Sequence, residues 1–277
     1  MTPTQDYYSF ILSFSNVSLP TFVALFTLAL MRMAPVVAIA PFLGAKLPGS
    51  VKMGLTICLT VILLPTLITN TTHPMAFDAV FIGYCVKEVL IGTMLAMLCT
   101  LPFYIAQSAG VLIDFARGSS ALQVTDPTVQ SQASPLGLLY NYVFIVLFFE
   151  IGGPFIFFQT LLRTYQVLPV DVGVSSYFFS LSVPFWQGAL SLLTYFLSIS
   201  IQLAAPSLVA ILMAEAFLGI ANRLAPQVQI AFLGMSIKSL LGLAMLWAGW
   251  FFILQQVGKQ SLLWLQKLDF FIDSMKI

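Results

Sequence analysis

The sequence predicts an all-α protein of the membrane type, built from bent hydrophobic helices and helical hairpins, and three observations lead there. Of 277 residues, 60% are hydrophobic and only 8% charged, against about 25% charged in soluble domains. The apolar residues form long charge-free runs, not the short alternating segments of a membrane barrel. Prolines and glycines interrupt those runs, so the helices are expected to bend. The same composition excludes disorder, which needs low hydrophobicity and high charge. A net charge of +1 supplies no field for holding nucleic acid.

In order along the chain, the charge-free runs are Tyr7 to Met31, Met53 to Phe77, Val89 to Ile113, Thr128 to Phe149, Val172 to Ala214 and Ser239 to Gly258. A helix crosses the hydrocarbon core with about 20 residues, so each run is long enough for a helix or a helical hairpin. Met1 to Asn16 contains no lysine or arginine, so the first run lacks the basic flank of a cleaved signal and is read as retained. The run Val172 to Ala214 would measure about 64 Å as one helix, twice a bilayer, and must bend, fold back or project. Pro35, Pro41, Pro102, Pro154, Pro184 and Pro206 fall in or beside the runs, and each removes a backbone donor. Gly152-Gly153-Pro154, just after Glu150, is read as a true break. Broken helices at membrane depth need neighbouring protein or a water-filled cavity, although proline is also commoner in membrane helices generally. The expected organisation is a single domain over residues 1–277, an internal polar loop at 114–135 and an amphipathic C-terminal tail at 259–277.

Charge placement complicates the topology. Arg32, Lys46 and Lys52 surround the first connection, while Leu64 to Asp78 carries no lysine or arginine, which puts the first connection on the cytoplasmic side. Arg117, Arg223 and Lys238 agree with that alternation over six spans. Lys259, Lys267 and Lys276 in the tail break it. Either one apolar segment does not span, or ordinary bilayer insertion does not set the final position.

Between Asp114 and Pro135 small polar residues with Gly118, Pro127 and Pro135 mark the longest polar interruption of the chain. It reads either as an exposed connecting loop or as a loop held inside a pore. Catalytic chemistry is missing: His73 is the single histidine, and no nucleophile elbow, zinc-protease helix or phosphate-binding loop occurs. Cys58, Cys85 and Cys99 all sit in apolar runs and read as buried thiols without disulfide or metal roles. No cofactor is expected.

The charges inside apolar surroundings carry more information. Arg32, Lys87, Glu88, Glu150, Glu215, Arg223 and Lys238 interrupt or border the long runs, and a charge at membrane depth costs at least about 2.5–3.5 kcal/mol. Lys87 and Glu88 point about 100° apart on a helix and are not expected to pair with each other. Glu215 and Arg223 lie about 12 Å apart along a helix axis. Their partners are expected from distant segments or other subunits, with snorkelling at helix ends as the plainer reading for Lys238 and Lys52. Arg32-Met-Ala-Pro35 is echoed by Arg223-Leu-Ala-Pro226, each followed by a similar apolar stretch. This reads either as internal duplication or as two similar breaks serving similar contacts.

Those residues also carry a family likeness. Arg32-Met-Ala-Pro35 with Pro41-Phe-Leu-Gly44, Lys87-Glu88-Val-Leu-Ile-Gly92, Ala109-Gly110 through Asp114-Phe-Ala-Arg117-Gly118-Ser119, Ser134-Pro-Leu-Gly137, and Asn222-Arg223-Leu-Ala-Pro226 with Lys238-Ser-Leu-Leu-Gly242 resemble, in that order, the SctT/FliR family of type III secretion export-gate proteins. The Asp-x-x-Arg-Gly-Ser and Ser-Pro-Leu-Gly pieces resemble the injectisome branch, and Lys87-Glu88 with Gly92 resembles the family's helix start. The resemblance implies a multi-pass protein of the bacterial inner membrane acting in a helical pseudo-hexameric export gate. Its implied partners are SctR/FliP-like and SctS/FliQ-like gate subunits, an SctU/FlhB-like switch protein, and secreted effector and needle proteins in transit. It further implies a channel plug at Asp114, Arg117, Gly118, Ser119, Ser120, Asp126 and Pro127. Interface charges and breaks would be Arg32, Pro35, Lys87, Glu88, Glu215, Arg223, Pro226 and Lys238. Apart from the resemblance, a secondary transporter or small-solute channel built on broken helices is the alternative.

Overall fold

The computed structural model describes residues 18–44, 47–71, 77–118, 134–173, 184–224 and 230–274. Among them the regular structure is helical throughout, with no strand. The helices are α1 (Leu19–Ile39), α2 (Gly49–Asn70), α3 (Ala79–Ala116), α4 (Pro135–Glu150), α5 (Gly153–Val167), α6 (Pro184–Leu224), α7 (Ile230–Ala248) and α8 (Trp250–Ser274). Four are long and apolar enough to cross a membrane, or up to six spans if each bent pair counts as one.

Local sequence explains most of the ends. Pro20 sits in the first turn of α1, where its missing N–H is not needed. Downstream, Ala40 is extended and Pro41 opens a single 3-10 turn, Pro41–Leu43, which Gly44 closes at φ +89°. Ser134 caps α4 by accepting from the Gly137 N–H. Gly152, at φ +71°, adopts the left-handed conformation that only glycine takes freely, and Pro154 follows in the first turn of α5. The expected break after Glu150 is therefore present.

The prolines divide. Pro35, Pro102 and Pro206 lie inside continuous helices, as does Pro65, while Pro41 and Pro184 open helical segments. The overlong apolar run does not fold back within its described part: α6 is one helix of 41 residues, about 62 Å long. α3, of 38 residues, runs about 57 Å and starts ten residues before the apolar run read from the sequence. A break the sequence reading missed splits the last run at Gly249, where α7 and α8 meet at 63°.

By contacts the chain divides into two compact units. The first takes its described residues from Met1–Thr100, Gly153–Ala189 and Leu265–Ile277, the second from Leu101–Gly152 and Leu190–Trp264. In the first, α1 packs on α2 and α2 on α5, burying Leu25, Leu28, Met33, Val36, Leu67, Phe157 and Leu161. Phe42 meets Phe157 edge-on, with ring centroids 5.1 Å apart. In the second, Phe103 of α3 touches Phe144 and Phe148 of α4 edge-on. Tyr195 of α6 stacks on Trp264 of α8 at 6.0 Å.

Candidate functional site

The charges singled out in the sequence fall into three settings, each set by a helix end or a helix crossing. The first lies in the first unit and is centred on Arg32, which has no exposed surface. On α3, Glu88 and Gly92 are one helical turn apart and share a face. At Gly92 the two backbones come so close that a Cβ would sit 2.2 Å from the Arg32 carbonyl oxygen. That approach puts the Arg32 guanidinium within reach of Glu88: Nε donates to Oε2 at 2.5 Å and Nη2 to Oε1 at 2.9 Å. α5 closes the third side. Arg32 Nη1 donates to Thr164 Oγ1 at 3.2 Å, Nη2 to the Leu168 carbonyl at 2.8 Å, and the guanidinium lies over the Tyr165 ring at 4.1 Å.

Lys87 extends the same web. Its Nζ donates to the carbonyls of Pro169 at 2.9 Å, Val170 at 3.1 Å and Val172 at 2.8 Å, and lies 3.0 Å from Glu88 Oε1. The expectation that Lys87 and Glu88 do not pair is thus corrected. Their Cβ atoms diverge on the helix, but the flexible lysine stem swings its ammonium round to the carboxylate. Lys87-Glu88 also lies in the third turn of α3 and not at a helix start. Burial of these ions in a low-dielectric interior is tolerated because each is paired and hydrogen-bonded.

In the second unit the setting is a knot at the two roots of the polar loop. Asp114, near the end of α3, accepts from Arg117 Nε at 2.8 Å and pairs with its Nη2 at 2.5 Å, as the three-residue spacing allows. Its other oxygen accepts from Ser134 Oγ and from the Leu136 N–H, the latter at 2.9 Å. One carboxylate thereby joins the end of α3 to the start of α4. Glycine again permits the approach: a Cβ on Gly110 would meet the Leu136 carbonyl oxygen at 2.5 Å. Gly118, at φ +84°, ends the helix beyond Arg117, and Arg117 Nη1 also reaches Ser239 Oγ of α7 at 3.4 Å.

The third setting is a half-exposed pair. Lys238 Nζ of α7 donates to Glu215 Oε1 of α6 at 2.6 Å, with the side chains 21% and 57% exposed. Glu215 thus finds its partner 23 residues away, and Lys238 is paired where the sequence allowed snorkelling. Lys52 donates to the Ala38 carbonyl near the end of α1 at 3.0 Å. Arg223 is exposed at the end of α6. Ser119, Ser120, Asp126, Pro127 and Pro226 lie outside the described residues.

Sequence reasoning missed Thr164, Tyr165, the turn carbonyls at Leu168 to Val172, Ser134 and Ser239. Ser134 carried a readable signal, a cap residue three before a glycine at a helix start; the others are contacts that only the fold creates. Among the described residues no group of histidine, cysteine, aspartate or glutamate is placed to hold a metal.

Comparison with known proteins gives the family. Residues 23–262 match the family described as bacterial export proteins, family 1. The chain belongs to that family. It is 31% identical over 218 residues to the Yop proteins translocation protein T of Yersinia pestis, covering 77% of this chain and 81% of that protein. It is 28% identical over 229 residues to the surface presentation of antigens protein SpaR of Shigella flexneri, covering 82% and 85%. With the flagellar biosynthetic protein FliR of Escherichia coli K12 it shares 26% identity over 220 residues, covering 78% and 80%. The likeness to the SctT/FliR family read from the motifs is therefore real, and the Yersinia and Shigella relatives fit its injectisome branch. As a member of the bacterial export proteins, the chain is a membrane component of a secretion export apparatus and not an enzyme.

Proposed function

We propose that this chain is the gate subunit of a type III secretion export apparatus in the bacterial inner membrane, forming and closing the channel for unfolded protein substrates. It would assemble with SctR/FliP-like and SctS/FliQ-like subunits into a helical pseudo-hexamer, beside an SctU/FlhB-like switch protein, and let effector and needle proteins pass. The segment from Asp114 to Pro127 would be the plug. The observation that carries the reading is the Asp114 knot. A closure element must displace its middle while its roots stay attached, and one carboxylate binds both roots of the polar segment. Small polar residues in between suit a loop that closes a narrow passage and moves aside.

Two further observations support an assembly role. Large apolar side chains such as Phe217, Ile220, Leu240 and Trp247 are 62–81% exposed in the isolated chain. Glu215 and Arg223 lie exposed in that apolar surface, where hydrocarbon alone would penalise them. The test removes Ser119 to Asp126 from the co-produced complex and leaves Asp114 and Arg117 in place. The gate should still assemble and the membrane should leak ions or small solutes. A membrane as tight as wild type, with the complex assembled, would falsify the plug assignment. The transporter alternative has no support from the family.

A further inference from the structure

The turn after α5, Leu168 to Gly173, is held in an unusual way. Four of its carbonyls, at Leu168, Pro169, Val170 and Val172, accept from just two side chains, Arg32 of α1 and Lys87 of α3. A helix end leaves carbonyls without intrahelical donors, and Pro169 supplies no N–H to continue the ladder. Here cations from two other helices provide the donors. The Lys87 ammonium sits among three carbonyl oxygens and Glu88 Oε1 at 2.8–3.1 Å, and Val170 and Asp171 of the turn are buried.

We propose that Leu168–Gly173 is a strap latched by cations: it closes over α1 and α3 only when the Lys87 ammonium and the Arg32 guanidinium are both in place. Glu88 acts as a positioning residue that aims both cations at the strap. The device demands shape as well as charge. Three converging carbonyls surround a compact ammonium with three donors, which a planar guanidinium at the end of a longer side chain does not reproduce. Arg32 in turn uses its fork to hold Glu88, Thr164 and Leu168 at once, which an ammonium does not span. The conformation of the strap thus depends on two charges far away in sequence, and it opens locally when either is lost.

The test is amide hydrogen exchange on the full-length chain, purified in its membrane complex. In Lys87→Met, amide exchange across 170–173 should rise about tenfold or more, as expected for local opening, while peptides from α2 and from the second unit keep wild-type rates. Lys87→Arg should open the strap almost as far despite its positive charge. Arg32→Lys should loosen the Leu168 end more than the Val172 end. If Lys87→Met does not accumulate, Lys87→Gln, which retains two N–H donors, carries the same readout with a smaller rise. Wild-type exchange of 170–173 in the accumulating Lys87 variant, or full protection in Lys87→Arg, overturns the proposal.

Discussion

Arg32 and Arg223 begin the same four-residue pattern, Arg-x-Ala-Pro, and meet opposite fates. Arg32 is fully buried, paired with both oxygens of Glu88 and stacked on Tyr165. Arg223 ends α6 in an exposed position. Pro35 lies inside a continuous α1, so proline after the arginine does not by itself break the helix in the first copy. The pattern, then, does not encode an environment. What decides it is whether a second helix brings a carboxylate and a glycine to the arginine, as Glu88 and Gly92 do on α3. The same contrast separates the ion pairs: Arg32–Glu88 is sealed, while Glu215–Lys238 stays half-exposed.

Four substitutions and one control test that contrast. The largest effect belongs to Glu88→Ala, which strands two buried cations and should cost about 3–5 kcal/mol. The chain should fail to accumulate in membranes, and a normally accumulating, normally melting variant would remove the cluster's structural importance. Gly92→Ala comes next, because its new methyl group meets backbone and not a movable side chain; overpacking of this kind costs about 1–3 kcal/mol. Its control is Gly219→Ala on α6, where nothing lies within 4 Å and the better helix former should be neutral or stabilise by up to about 1 kcal/mol. Equal thermal midpoints for the two alanine variants in detergent would contradict the close approach of α3 to α1.

Glu215→Gln should change the stability of the isolated chain by less than about 1 kcal/mol, since its pair is half-exposed. The smallest effect on the chain itself is expected from Arg223→Ala, with an unchanged thermal midpoint. Complex recovery and secretion should nevertheless fall in both of these variants if the exposed charges meet other subunits. Full secretion together with full complex recovery would show that Arg223 differs from Arg32 by having no partner to lose.

Much of the fold was legible in the chain. Long apolar runs read as helices, and Gly152 with Pro154 marked the break after α4, because each rests on local geometry. The break at Gly249 was not legible, since a lone glycine in an apolar run is equally at home inside a membrane helix. The continuity of α3 through Lys87 and Glu88 was hidden for a related reason: charges that end an apolar run need not end a helix when buried partners await them. The candidate plug was legible only as a polar interruption; that one aspartate joins both of its roots is a product of the fold.

What the residues alone settle is the membrane character, the helical class, the family likeness and which charges need neutralising, because hydrophobicity and cost of burial are properties of residues. Which charges meet follows from the packing of the helices. Arg32 lies 56 residues from Glu88 and 136 from Leu168, and Lys87 lies 82–85 from its carbonyls. Helical periodicity places neighbours three or four residues apart and has no reach across such distances. Even the adjacent Lys87 and Glu88 were misread by periodicity, because it fixes where a side chain starts and not where a flexible one ends.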